Sequence, residues 1–192
     1  TNIDLFNRVV KYIVENVGKP FSANAIVKFL KSEGRSLSVE AVYNYLEWLE
    51  KAFVIYRCQR YDLQGKSVLK TQEKFYLADA SLKYCIMGFN PKSIASMLEN
   101  IVYFELLRHG YEVYIGKLNT REIDFVAVRR DERVHVQVCR NLPEDSDREI
   151  GNLLDIKDHY PKYVVTLDEL AGGNVNGVKI VHLADFLLSD RL

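Results

Sequence analysis

Apolar residues recur at helical spacing through the opening of the chain and at alternate positions through much of the remainder. In IDLFNRVVKYIVENVG the helical stripe is Leu5, Val9, Ile13 and Val17, closed by Gly18. PFSANAIVKFLKSEG predicts a second helix with Ser22 as its N-cap and Ile26, Phe29 and Leu30 facing inward. SLSVEAVYNYLEWLEKAF predicts a third, starting at Ser38 and burying Val42, Leu46, Leu49 and Phe53. Two β-rich runs come next, FVIYRCQRYD and KFYLAD, with the polar LQGKSVLKTQE reading as their connector. LADASLKYCIMGFNP then predicts a short helix and a connector punctuated at Pro91. The strongest helix is SIASMLENIVYFELLRHG, stopped by Gly110. Beyond it come three strands, YEVYIG, EIDFVAVRR and RVHVQVC, and the amphipathic helix DREIGNLLDIKDHY with Ile150, Leu153, Leu154 and Ile156 apolar. Two more strands, KYVVTLDE and VKIVHL, precede a closing helix, ADFLLSD.

This pattern predicts an α/β chain of two domains. Three short helices and a hairpin over residues 1–79 make a winged helix-turn-helix, and the αβββαβ order over 80–192 makes a mixed sheet flanked by helices. In a winged helix the third helix can enter a major groove while the hairpin wing touches phosphates. The exposed side of that helix should carry Glu40, Tyr43, Asn44, Glu47 and Glu50, with Lys51 at its end. The carboxylates would repel phosphate, whereas Tyr43 and Asn44 offer base-reading groups. The candidate nucleic-acid contacts are therefore Tyr43, Asn44 and Lys51 on the helix, and Arg57, Arg60, Lys66 and Lys70 on the wing.

Composition narrows the picture. The 192 residues are 48% hydrophobic and 27% charged, enough to build a real core. A formal net charge of zero excludes a wholly basic nucleic-acid binder. Yet Lys51 to Lys74 is locally basic, its acidic residues being only Asp62 and Glu73. No apolar run nears the roughly 18 residues of a membrane span, and no signal peptide opens the chain, so no membrane partner is expected. Cys58, Cys85 and Cys139 are widely spaced without a CxxC, which points away from disulfides and zinc and toward the reducing cytoplasm. GKS at Gly65, Lys66 and Ser67 mimics the tail of a phosphate-binding loop, but Arg60 stands where the upstream glycine belongs. The four histidines are scattered, although His135 and Gln137 share a strand face and could meet in one pocket.

The chemistry gathers in REIDFVAVRRDERVHVQVC. Asp124 lies near the start of one strand, and Gln137 and Cys139 share a face of the next. With Glu99 on the preceding helix, this spacing resembles the restriction-endonuclease-like PD-(D/E)XK fold, whose pattern is a helix Glu, a strand Asp and then Glu-x-Lys. The resemblance implies catalytic candidates Asp124, Glu99 and Gln137, with Asp124 and Glu99, or alternatively Glu122, holding a Mg²⁺ that activates water and clamps phosphate. Two elements depart from the pattern. Gln137 brings no negative charge, and Cys139 offers neither a cation nor a good ligand for a hard ion. Those changes weigh against an active nuclease. The plainer readings are a strand-end carboxylate at Asp124, satisfied by a backbone amide or Arg121, and an exposed helix residue at Glu99.

The run LENIVYFELLRHGYEVYIG … EIDFVAV … VHVQVCRNL … REIGNLL … YVVTLDE … GVKIVHLADFLL is similar to the C-terminal region of prokaryotic AAA-type P-loop ATPases. In that group an ATPase domain precedes a winged helix and a nuclease-like domain of unknown function. The resemblance implies that the chain, which starts at Thr1, is the C-terminal part of a longer protein. Its partner would then be an N-terminal ATPase domain, and ATP would bind only there. The expected function is a DNA- or partner-binding regulatory module with a degenerate nuclease-like domain. The alternatives are a Mg²⁺-dependent nuclease using Asp124, and an interaction module in which Tyr43, Tyr45 and Trp48 form a homo-oligomer interface.

Overall fold

Ser22 and Ser38 each turn the chain into a helix. Their hydroxyls accept the N–H groups of Ala25 and Ala41 at 3.3 and 3.1 Å, satisfying donors that a helix start leaves orphaned. The helices they open are α2, Ala23–Ser32, and α3, Val39–Lys51, and α1, Ile3–Glu15, precedes both. The computed structural model describes residues 3–142 and 147–192, leaving out the side chains of Lys70, Asp147 and Arg148. Two compact units result, one of residues 1–58 and 72–91, the other of residues 59–71 and 92–192. Neither is a continuous stretch such as 1–79 or 80–192. The reason is a long hairpin, β1 (Ile55–Asp62) and β2 (Ser67–Leu77), whose base belongs to the first unit and whose tip belongs to the second.

In the first unit α1 packs on α3 and on α4, Ser81–Met87, and α2 packs on α3. Leu5, Val9, Ile13, Val17, Ile26, Leu30, Val42, Leu46 and Leu49 are all buried, as their spacing predicts. Each contributes on the order of 1.5–3 kcal/mol by leaving water. Gly18, at φ +76°, lets the chain leave α1 and donate its N–H to the Phe75 carbonyl at 3.1 Å. Two expected core residues lie outside: Phe29 is 41% exposed and Phe53 70%. Phe29 leans on the Tyr12 ring, with centroids 5.5 Å apart. Phe53 comes after the α3 C-cap at Ala52 and sits at φ +55°, so helical periodicity no longer governs it. The polar connector is also mostly strand, since β2 begins at Ser67. Pairing with β1 draws on the backbone and needs no apolar side chains.

The second unit is built on a mixed sheet in the order β2-β1-β3-β4-β5-β6-β8-β7, entered by the hairpin tip through parallel pairing of Arg60–Asp62 with β3. β3 (Glu112–Leu118), β4 (Arg121–Arg129) and β5 (Glu132–Cys139) form an antiparallel meander. β6 (Lys162–Thr166) and β8 (Val178–His182) add in parallel, and β7 (Gly173–Val175) closes the edge antiparallel to β8. β7 was not expected; its three residues are all exposed and carry no alternation. Helix α5, Ile94–Arg108, packs on β3, β4 and β5, and α6, Asp147–Leu154, packs on β4, β5, β6 and β8. The last helix, α7 (Leu183–Leu188), rests on β6 and β8. Ile156 is buried with Ile150 and Leu153 although α6 stops before it. The architecture is mixed α/β, and no described helix is long and apolar enough to cross a membrane.

One irregularity positions the chemistry. Ile123 pairs with Gly116 and Val126 with Tyr114, so β4 spends three steps where β3 spends two, a β-bulge around Asp124 and Phe125. Residues two apart on a strand ordinarily share a face. Here Ile123 joins the apolar cluster of Ile150 and Leu153 from α6, while Phe125 meets Tyr103 of α5 at 6.1 Å. Gly116 is the close approach that permits this, because a Cβ there would lie 2.8 Å from both Ile123 Cβ and Val126 Cγ2. Gly116→Ala should therefore destabilise the protein by about 2 kcal/mol, as overpacking does. Urea denaturation measures it, and an unchanged midpoint would show that the bulge tolerates a side chain at that point.

Candidate functional site

β4 and β5 pair from Arg129 opposite Glu132 as far as Phe125 opposite Val136, and then they part. β4 continues beside β3, and β5 continues beside β6. Asp124 and Gln137 would form the next rung of the ladder. Their side chains take over instead. The Asp124 N–H donates to Gln137 Oε1 at 2.7 Å, and the Val138 N–H donates to Asp124 Oδ2 at 2.8 Å. A backbone N–H stranded in a buried place would cost about 1–3 kcal/mol, so each strand uses a side chain to satisfy the other's backbone. The orientation of the Gln137 amide is set by these partners. Its oxygen must face an N–H, which leaves Nε2 to donate to Glu149 Oε2 at 2.9 Å.

The parted strands open into a pocket of about 740 Å³ whose lining includes Glu99, Glu122, Asp124, Gln137, Glu149 and Asn152. The fold thus brings together Glu99, Asp124 and Gln137, and Glu99 is half-buried rather than an exposed helix residue. Arg121 pairs with Asp155, not with Asp124, and Glu122 pairs with Arg60 at 2.5 Å. Glu149 and Asn152 were missed on reading the sequence. Their signal is an i, i+3 polar pair on α6, beside the inward Ile150 and Leu153.

Clustered carboxylates give the pocket an acidic character that favours a cation and opposes bare phosphate. Asp124 and Glu99 remain the residues that could contribute to holding Mg²⁺. Gln137 fits that role poorly, because ligating through Oε1 would strand the Asp124 N–H. Among the described residues no three His, Cys, Asp or Glu side chains are grouped to hold a metal ion. Cys139 is half-buried, and burial pushes its thiol above the ordinary value despite a hydrogen bond with Thr166.

His135 shares a strand with Gln137 but does not reach this pocket. It is fully buried, and its Nε2 lies 2.8 Å from Asp158 Oδ2. Burial lowers the imidazole pKa against the opposing pull of Asp158. Burial pushes Asp158 up, but His135 and Lys162 outweigh it and hold the carboxyl below its ordinary range. His135 Nδ1 has no partner among the described residues, which fits a neutral ring protonated at Nε2.

The nucleic-acid candidates divide. Tyr43, Asn44 and Lys51 are exposed on α3, where Lys51 is bridged to Glu47 at 2.6 Å. Glu50 is only half-exposed, because it takes two hydrogen bonds from Arg57, at 3.0 and 2.8 Å. Arg57 also reaches Glu73 and lies over the Phe75 ring. Arg60 is 7% exposed and committed to Glu122. Lys66 is exposed in the hairpin turn, and the Lys70 side chain lies outside the described residues.

The chain is thus a two-unit mixed α/β protein with an acidic pocket where two strands diverge. Residues 1–93 match the family described as Domain of unknown function (DUF8612). An uncharacterized protein of Haemophilus influenzae is 38% identical over 184 residues, covering 96% of this chain and 46% of the relative. An uncharacterized protein of Methanocaldococcus jannaschii is 28% identical over 149 residues, covering 74% of this chain and 33% of the relative. The chain therefore spans less than half the length of these curated relatives. No solved structure matches it significantly.

Gln137→Glu should set a second carboxylate against Glu149 and remove the donor between them, destabilising the fold by about 1–3 kcal/mol at neutral pH. The new carboxyl would have a raised folded pKa, so the deficit should shrink as pH falls toward about 4. Denaturation at several pH values reads both effects. His135 has its folded pKa below the unfolded 6.5, so its contribution is complete above that value and is lost progressively as pH falls below it. A stability profile over that range should be flatter in His135→Gln; an identical slope would show that another group carries it.

Proposed function

We propose that the chain is a non-catalytic binding and regulatory module of a larger ATPase, with a winged helix in its first unit and a degenerate nuclease-like domain in its second. The observation that carries this reading is the commitment of Gln137, whose oxygen holds the Asp124 backbone and whose nitrogen holds Glu149. With Cys139 in place of a lysine, two of the parts that would activate water and offset developing charge are absent. The greater length of both relatives supports a module within a larger protein. Its partner on this reading is DNA or a protein docking on exposed α3 residues such as Tyr43, Asn44 and Trp48.

A second reading, a Mg²⁺-dependent nuclease, is favoured by one specific observation: Glu99, Glu122, Asp124 and Glu149 line the same pocket. One experiment separates the two. The chain is incubated with duplex, branched and single-stranded DNA in Mg²⁺ or Mn²⁺, beside Asp124→Asn, which keeps an acceptor for the Val138 N–H but removes the charge. The expected outcome is no cleavage beyond that of the variant. Metal-dependent cleavage that disappears in Asp124→Asn would overturn the non-catalytic reading.

A further inference from the structure

Arg121 lines the acidic pocket, and its partner Asp155 lines a second one in the same unit, of about 520 Å³. The second pocket has the opposite character. Its cations are Lys66 from the hairpin turn, Arg133 from the start of β5 and Lys157 from the loop after α6. Its carboxylates are already matched. Asp155 is bridged to Arg121, and Asp158 takes Lys162 Nζ at 3.1 Å and His135 Nε2 at 2.8 Å. Lys66 and Lys157 are exposed, and Lys157 gives one of its donors to the Leu154 carbonyl.

Arg133 is held as a flat plate. Its guanidinium carbon lies 5.4 Å from the Tyr61 ring centroid and 5.3 Å from that of Tyr160. Among the described residues it makes no ion pair. Its Nη2 has a long contact of 3.5 Å to the Tyr61 hydroxyl, and its Nε has no acceptor. Beside it His159, exposed, stacks on Tyr160 with centroids 4.5 Å apart and planes 30° apart. A stacked guanidinium that makes no ion pair can give its Nη donors to a phosphate oxygen, while its Nε stays buried. Flat rings next to cations are what bases of a single strand stack on.

We propose that this pocket binds a nucleoside phosphate, either free or as one residue of a single-stranded nucleic acid. The phosphate meets Arg133, Lys66 and Lys157, and the base lies on the His159–Tyr160 stack. This site does not depend on whether the acidic pocket hydrolyses anything. It rests on the nucleic-acid half of the proposed function only where the phosphate belongs to a strand.

The test titrates the full chain with a fluorescently labelled single-stranded oligonucleotide, followed by anisotropy, and with a nucleoside monophosphate, followed by calorimetry. Saturable binding should weaken about tenfold or more in Arg133→Met and several-fold in Lys66→Gln and Lys157→Gln. For a strand, each lysine removed should lower the slope of log affinity against log salt by about 0.7. Monophosphate binding that depends on Arg133, without oligonucleotide binding, supports the pocket with a free nucleotide as its ligand and leaves the α3 surface of the proposed function to its own test. No binding of either ligand, or binding unchanged in Arg133→Met, overturns the proposal. Should Arg133→Met fail to fold, the two lysine variants decide, since both side chains are exposed and unchanged affinity in both overturns it as well.

Discussion

Where β4 and β5 separate, the Asp124 and Gln137 side chains carry the hydrogen bonds that the backbone ladder gives up. A sheet cannot open in its interior without stranding N–H groups, and a stranded buried N–H costs about as much as a hydrogen bond contributes. The reciprocal pair removes that penalty, so β4 can stay with β3 while β5 goes on with β6. The pocket exists because of this divergence. Both residues are therefore structural before they are anything else, and a functional role for either must be compatible with the bonds it already makes.

The same logic of commitment separates the charges of the second unit. Arg60 is held by Glu122 and Arg121 by Asp155, while Glu99, Asp124 and Glu149 line the pocket between the diverging strands beside the Gln137 amide. Asp158 is held by His135 and Lys162, so the neighbouring pocket keeps Arg133, Lys66 and Lys157. Two cavities of one unit thus differ in the charges that line them. Net charge, which is zero for the chain, conceals this entirely.

The helices were legible because their information is local. Ser22 and Ser38 cap as their position predicts, and the stripes from Leu5 to Val17 and from Val42 to Leu49 are buried. Local rules failed at their boundaries. Phe29 and Phe53 lie outside the first core, the former at the margin of its helix face and the latter past its end in a left-handed conformation. The polar start of β2 and the three residues of β7 were invisible because their pairing is made by backbone groups, which every sequence possesses. Glu149 and Asn152 were overlooked because a polar pair on a helix acquires meaning only from what stands opposite.

Taken alone, the sequence determined the helices and most of the strands, the mixed α/β class and the short list of Glu99, Asp124 and Gln137 as residues worth placing together. Periodicity, caps and the alternation of strand faces are properties of neighbours along the chain. Only the tertiary structure decided what those three residues are free to do. The bulge opposite Gly116, the parting of β4 from β5 and the use of both ends of the Gln137 amide each depend on strands distant in sequence. A hydrogen-bonding group can be read from its residue type, but its availability is set by partners that only folding brings within reach.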